Sequence, residues 1–163
     1  MKKAKKSDEK DKNFEQIATN RKARHDYLIE DTIEAGLALE GPEVKSLRLK
    51  HCVITSAFAR VEPRGVYLYG MQISPYAFNT LTQLDPVRTR KLLLKKTEIR
   101  RLSKAVEIKG MALVALEVYF KRGWAKVLIG LGRGKKAADK KETIKKRDID
   151  REMRRDFKEK YKG

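Results

Sequence analysis

This chain of 163 residues holds one cysteine, two histidines, one tryptophan and four prolines. Each scarcity removes a class of answer. The lone Cys52 cannot build a disulfide scaffold. Cys52, His25 and His51 are all the Cys and His present, too few for a four-ligand zinc site of those types. His51 and Cys52 are neighbours, and neighbours on a strand point to opposite faces, so they form no thiolate dyad. No apolar run approaches the roughly 18 residues of a membrane-spanning helix. The basic start, Met1-Lys2-Lys3-Ala4-Lys5-Lys6, is followed by no apolar stretch, so a soluble, cytoplasmic protein without a membrane partner is expected. Gly130-Leu131-Gly132-Arg133-Gly134-Lys135-Lys136 fails the Walker pattern, with Ile129 where the first Gly belongs and Lys136 where Ser or Thr is needed. With no catalytic constellation left, the expectation is a non-enzyme with no cofactor and no bound metal.

Positive charge is what the sequence has in excess. Lys and Arg number 40 against 22 Asp and Glu, a formal net charge of +18. A polyanion is the expected partner, and nucleic acid the commonest. Residues 1–12 contain six Lys and three acids; residues 133–163 contain 14 basic and seven acidic residues. The final segment, under a fifth of the chain, thus carries over a third of the net charge, with few large apolar side chains to bury. The division expected is a flexible basic arm at 1–19, a folded body at 20–132 and a basic tail at 133–163.

Within the body, Tyr27–Ile33 reads as a strand, with Gly36 permitting a bulge or bend. Gly41–Arg48 reads as a short helix with Pro42 in its first turn. Residues 54–61 and 66–71 flank Glu62-Pro63-Arg64-Gly65 as a hairpin. Asp85-Pro86 signals a helix start, Ile99, Leu102 and Val106 repeat at helical spacing, and Gly110 ends that helix. Residues 111–120 and 124–131 form a second hairpin around Lys121-Arg122-Gly123. Antiparallel hairpins with short interposed helices predict a mainly β fold, a small closed barrel of which the OB-fold is one solution.

Two basic clusters invite RNA. In Asn20-Arg21-Lys22-Ala23-Arg24-His25-Asp26-Tyr27, Arg and Lys can hold phosphates, Tyr and His can stack on bases, and Asn can read a base edge. The plainer alternative is a solvated strand entry. Arg88-Thr89-Arg90-Lys91, placed at the expected helix N-terminus, would gain free N–H groups for phosphate. Of the Leu92-Leu93-Leu94 run that follows, one leucine should be exposed unless a neighbouring loop covers it. Lys45 and Arg48 share one side of the short helix. Glu34 repels phosphate; it is either a surface acid, an acceptor for a base amino group or 2′-OH, or a holder of an Arg. In the tail, Ile149, Met153, Phe157 and Tyr161 recur every four residues as a thin helical stripe. Glu142–Lys146, Asp150–Arg154 and Asp156–Lys160 add i,i+4 pairs. Such a helix is marginal alone and poised to form on a partner; a plain disordered basic tail is the alternative.

Several of these blocks, in order, resemble the SsrA-binding protein (SmpB) family: Asn20–Tyr27, Glu34-Ala35-Gly36-Leu37, Glu43–Arg48, Ile73-Ser74-Pro75-Tyr76, Asp85-Pro86, Arg88–Leu94 and Gly134-Lys135-Lys136. The resemblance runs from about Asn20 to Asp148. It implies an OB-fold-like closed antiparallel barrel with short flanking helices and a tail disordered alone and helical on a partner. It further implies binding of the tRNA-like domain of transfer-messenger RNA and delivery to stalled ribosomes for trans-translation, the protein standing in for an anticodon arm. The partners implied are that RNA and the small-subunit decoding centre and mRNA channel, with a monomer on the RNA. The family's RNA-binding positions fall on Asn20, Tyr27, Glu34 and Leu93, with the surrounding Arg21, Lys22, Arg24, His25, Lys45, Arg48, Arg88, Arg90 and Lys91. The tail residues implied to meet the ribosome are Lys135, Lys136, Asp139, Lys140, Lys141, Ile144, Lys145, Arg147 and Met153. Where the family often has an aromatic or His before Asp-Lys-Arg, this chain has Ala138 before Asp139-Lys140-Lys141. A ribosomal or ribosome-assembly protein with a basic extension shares the charge and fold, and a nuclease is the rival from another class.

Overall fold

The structure is a computed structural model that describes residues 13–79, 84–135 and 137–160. Its elements are β1 (Phe14–Thr19), α1 (Arg21–Asp26), β2 (Tyr27–Leu37), α2 (Gly41–Arg48), β3 (Cys52–Val53), β4 (Phe58–Glu62), β5 (Gly65–Tyr69), β6 (Gln72–Ile73), β7 (Arg90–Leu93), α3 (Lys96–Glu107), β8 (Ala112–Lys121), β9 (Trp124–Gly134) and α4 (Ala137–Lys160).

Seven strands form one antiparallel sheet in the order β1-β8-β4-β5-β7-β2-β9, and β8 also pairs with β9, which closes the sheet into a ring. Closure follows from alternation. On β4 and β5, Ala59, Val66 and Leu68 point inward while Phe58 and Arg60 point out. Inward residues of all the long strands, among them Ile33, Ala35, Leu92, Val118, Val127 and Ile129, share one core with Leu47 of α2 and Leu102 of α3. A smaller cluster lies outside the ring, where Ala23 of α1 covers Val114 and Leu116 of β8. The barrel, mainly β with short flanking helices, is the architecture the hairpin pattern predicts.

Both hairpins turn where glycine was expected to allow it: Gly65 has φ +141° and Gly123 φ +79°. The bulge in β2 lies between Ile29 and Asp31, not at Gly36, which is paired within the strand to Leu93 and Lys126. Residues 14–19, assigned to the arm by composition, form β1 against β8, with Phe14 tilted on Tyr119 at 4.8 Å. β9 likewise continues to Gly134, past the expected body limit of 132.

Asp85-Pro86 does not begin a helix. The Asp85 carboxylate accepts from Val87 N–H at 3.0 Å, and Arg88 N–H donates to Asp85 O at 3.2 Å, so these residues make a turn. The chain then enters β7, and the helix starts only at Lys96. An Asp that caps a helix and an Asp that closes a turn use the same short-range bond, and sequence alone does not separate them. The stripe of α3 faces the core: Leu102 is buried, Ile99 and Val106 pack half-buried against the same core, and Gly110, at φ +62°, follows the helix end. Residues 137–160 form α4, the helix that the tail's apolar stripe predicts.

Candidate nucleic-acid interface

The first basic cluster is a capped helix rather than a strand entry. Asn20 is its N-cap, and the Asn20 Oδ1 accepts from Ala23 N–H at 3.0 Å. Its Nδ2 donates to Ile54 O and to Ala115 O, both at 2.9 Å, and the residue is 3% exposed. The amide is therefore fully engaged, and this corrects its expected contact with a base edge: Asn20 fastens α1 to β8 and to the loop before β4. The consequence reaches the surface through Arg21, Lys22 and Arg24, which the short helix leaves exposed. Arg24 bonds Glu117 at 2.9 Å, and His25 Nδ1 lies 2.9 Å from the Asp26 carboxylate. Tyr27 is half-buried and packs on the small cluster beneath α1.

A second group lies on the outer face where β7, β2, β9 and β8 meet. Glu34 is half-buried; it accepts from the Tyr119 hydroxyl and from Lys121 Nζ at 3.4 Å. Burial alone would raise its carboxyl, but the Tyr119 bond and the Lys121 and Lys126 charges outweigh that and hold it below the usual value. The Tyr119 hydroxyl is raised in turn, by burial and by its bond to Glu34. Glu34 is thus neither a free surface acid nor an arginine holder. It is an ionised acceptor with lone pairs still facing solvent.

Leu93 stands beside it, 57% exposed on β7. The leucine run does expose one member, though because a strand alternates and not because a helix rotates: Leu92 is buried and Leu93 is not. Gly36 opposite permits this placement, since a Cβ there would lie 3.1 Å from Leu93 Cβ. Arg64, Lys91, Lys95 and Lys126 ring the same open depression of about 590 Å³. Cations around an ordered carboxylate and an exposed aliphatic group suit a phosphate-lined ligand that presents a donor and an apolar face. Tyr119, Lys121, Lys126 and Arg64 escaped the sequence reading. For Tyr119, Lys121 and Lys126 the signal that could have found them is strand alternation, which sets these positions outward on β8 and β9; Arg64 lies in the turn between β4 and β5, where alternation gives no such signal.

The expected phosphate cluster at 88–91 divides in two. Lys91 is exposed, but Arg90 is 0% exposed and cannot touch RNA. It lies 2.6 Å from Glu43 Oε2 and donates from its guanidinium to Met71 O at 2.7 Å and Pro86 O at 3.1 Å. Arg88 bonds Glu43 Oε1, with Nε at 3.0 Å, and is mostly buried by it. Burial would raise the Glu43 carboxyl, but Arg88, the Glu40 N–H and Arg90 together bring it below the usual range. Two of the three expected phosphate ligands, Arg88 and Arg90, therefore pin α2 to β7 and to the turn before it. Without a helix N-terminus at this place, the dipole part of that expectation also falls. On α2, Lys45 and Arg48 remain exposed, Lys45 5.4 Å above the Tyr76 ring and Arg48 4.9 Å above Phe120.

Cys52 lies on β3, and burial pushes its thiol up to about 12, so no nucleophile forms there at neutral pH. Among the described residues no group of three His, Cys, Asp or Glu side chains could hold a metal ion. In the tail, Lys135 N–H donates to Asp26 O at 2.8 Å, which sets the start of the tail beside α1. Lys141, Ile144, Lys145, Arg147 and Met153 are exposed on α4. Lys136 and the side chains of Asp139, Lys140 and Phe157 lie outside the described residues, as does Tyr161.

Known proteins share this arrangement. The family model described as SmpB protein matches residues 17–159. The SsrA-binding protein of Elusimicrobium minutum is 54% identical over 145 residues, 89% of this chain and 92% of that protein. The SsrA-binding protein of Acetivibrio thermocellus is 50% identical over 146 residues, 90% of this chain and 95% of that protein. A solved chain described by the words "tmRNA-SmpB: a journey to the center of the bacterial ribosome" superposes with a TM-score of 0.64 at 52% identity, covering 79% of this chain and 94% of that one. With a barrel of this form and a family match across most of its length, the chain belongs to the SmpB family.

Proposed function

We propose that this protein is an RNA-binding adaptor that engages the tRNA-like domain of transfer-messenger RNA and delivers it to stalled ribosomes for trans-translation. The observation that carries this reading is the outer-face group: Glu34, held ionised by Tyr119 and Lys121, beside exposed Leu93 and ringed by Lys91, Lys126 and Arg64. Its mechanism is positioning. Exposed cations of α1 and of this face neutralise phosphates, while Glu34 and Leu93 distinguish the correct RNA surface from bulk polyanion. The ring of strands makes the contact surface rigid, so the RNA meets a preformed shape.

The working parts are a barrel that binds RNA and a tail that binds the ribosome. α4 exposes Ile144, Ile149 and Met153 along a strongly basic helix, a form that fits an RNA-lined channel. The protein works in the cytoplasm, where ribosomes are, and it acts by binding, not by catalysis.

Two measurements test this. Glu34→Ala removes a negative charge, so attraction to a polyanion alone would tighten binding. Specific recognition requires weaker binding, by about tenfold for one charge-assisted contact. Equal or tighter binding of transfer-messenger RNA by the folded variant removes Glu34 from the site. A chain ending at residue 134 keeps the closed barrel and should keep its RNA affinity, yet fail to support peptide tagging on stalled ribosomes. Full tagging by that truncation would discard the tail's role.

A further inference from the structure

β4 and β5 present an outward surface that the reading above does not use. Alternation sends Ala59, Val66 and Leu68 into the core and leaves Phe58, Arg60, Tyr67 and Tyr69 on the outside. The register sets Phe58 opposite Tyr69 and Arg60 opposite Tyr67, and on the far side Tyr67 opposite Lys91 of β7. The Phe58 and Tyr69 rings are stacked at 5.6 Å with 14° between their planes, and Arg60 Cζ lies 5.8 Å from the Tyr69 ring centroid. Phe58 is 43% exposed. Tyr69 also donates to Glu62, a bond that fixes the ring's orientation and consumes the acid nearest the surface.

The Phe58–Tyr69 stack adds a cross-strand pair to the sheet, and Tyr67 extends the same outward aromatic surface. An exposed apolar patch of this kind marks a binding surface. Its place in the ring narrows the partner. Phe58 pairs on its other side with Val114 of β8, the residue that α1 covers through Ala23. At the opposite edge, Lys91 borders the depression that holds Leu93 and Glu34. The aromatic surface thus bridges the two basic groups already described. Three strand steps separate β8 from β7, about 14 Å at the usual strand spacing, room for a few nucleotides.

Resting on the RNA-binding reading, we propose that Phe58, Tyr67 and Tyr69, with Arg60 and Lys91, form a stacking platform for unpaired loop bases of the transfer-messenger RNA whose backbone is gripped on either side. Flat rings offer π-faces to any base, and interleaved Arg and Lys take up the phosphates between them. A protein partner would use the same rings without needing the cations on both flanks.

The test replaces rings by aliphatic side chains of strand-compatible shape, so that the sheet keeps its apolar surface and loses only stacking: Phe58→Leu, Tyr67→Leu, and Tyr67→Phe as the ring-preserving control. Each full-length variant is checked for a cooperative thermal transition and titrated with an in vitro transcript of the tRNA-like domain. Loss of one base-stacking contact should weaken binding about 5- to 150-fold for the leucine variants, with Tyr67→Phe near wild type. The salt dependence of affinity should stay unchanged in Tyr67→Leu and fall by about one phosphate in Arg60→Ala. Ultraviolet cross-linking of the wild-type complex should recover peptides containing Phe58 or Tyr67 joined to loop nucleotides. Wild-type affinity in both folded leucine variants, with no such cross-link, overturns the platform. Unchanged RNA affinity with loss of a protein partner in pull-down also overturns it, in favour of protein docking. Failure of the wild-type chain to bind the transcript at all would instead defeat the underlying RNA-binding reading.

Discussion

Glu34 and Glu43 lie nine residues apart in the chain, each beside cations, and do opposite work. Glu43 is 4% exposed and saturated, with two arginines and a backbone N–H on its two oxygens. Glu34 is half-buried, held from one side by Tyr119 and Lys121 and open on the other. The first carboxylate joins α2 to β7, and the second faces a depression. Both have their carboxyl held below the usual value. What separates a charge that builds the protein from one that meets a ligand is therefore not its ionisation. It is whether any lone pair remains unsatisfied.

The sharpest way to break this contrast is to delete each acid and read folding and binding separately. Glu43→Ala leaves Arg90 buried without its counter-charge, and loss of one partner of a buried pair costs about 3–5 kcal/mol. Denaturant titration should show that drop, while any molecules still folded at low temperature keep their RNA affinity. A Glu43→Ala variant as stable as wild type would remove the cluster from the fold's support. Glu34→Ala, which leaves the buried Tyr119 hydroxyl without its acceptor, should cost only about 1–2 kcal/mol in the same titration, with RNA affinity falling as well.

Acid gives a second, smaller separation. A carboxyl depressed in the folded state contributes stability that is fully present above its unfolded value and lost as pH falls through its folded value. Both acids are held below the ordinary carboxylate value, so the stability they add should persist at neutral pH and be lost as pH falls through their lowered values. Paired Glu43→Gln and Glu34→Gln variants measured from pH 7 to pH 3 should each flatten the acid slope. An unaltered slope in Glu43→Gln would mean that its arginines do not depress it.

The smallest expected effect comes from Tyr119→Phe. It removes one charge-assisted hydrogen bond, worth about 1–3 kcal/mol, from a partly solvated group, so the loss should lie at the lower end. Carboxyl titration followed by NMR should show Glu34 moving up towards its ordinary value. No movement would separate Glu34 from Tyr119.

The sequence made some of this contrast visible and hid the rest. Strands bounded by glycine turns, Gly65 and Gly123, were legible because a local backbone requirement leaves a local residue signature. The helix after Pro42 was legible for the same reason. The fate of Arg90 was not, because its partner Glu43 is 47 residues away and only the closed ring brings them together. Composition placed Arg90 with Lys91 as one basic cluster, yet strand alternation sends the two to opposite sides of the sheet. Asn20 shows the same limit: an amide suited to a base edge is equally suited to three backbone partners, and the fold provides them. β1 was hidden by its polar composition, since four of the six residues of Phe14–Thr19 stay exposed and only Ile17 is buried.

The ring also sets a timetable. β2 is flanked by β7 and β9, and both lie far downstream of it in the chain. During synthesis at about 5–20 residues per second, β2 therefore waits on the order of 5–20 s after it emerges before β9 can pair with it. For that interval it is a long strand with both edges unpaired, the kind of surface that recruits other chains. Glu30, Asp31 and Glu34, all solvent-accessible on this strand, place three negative charges on that waiting edge in an otherwise basic protein. Charge that later orders Tyr119 and Arg101 can thus first serve the newborn chain as a guard against pairing with its siblings.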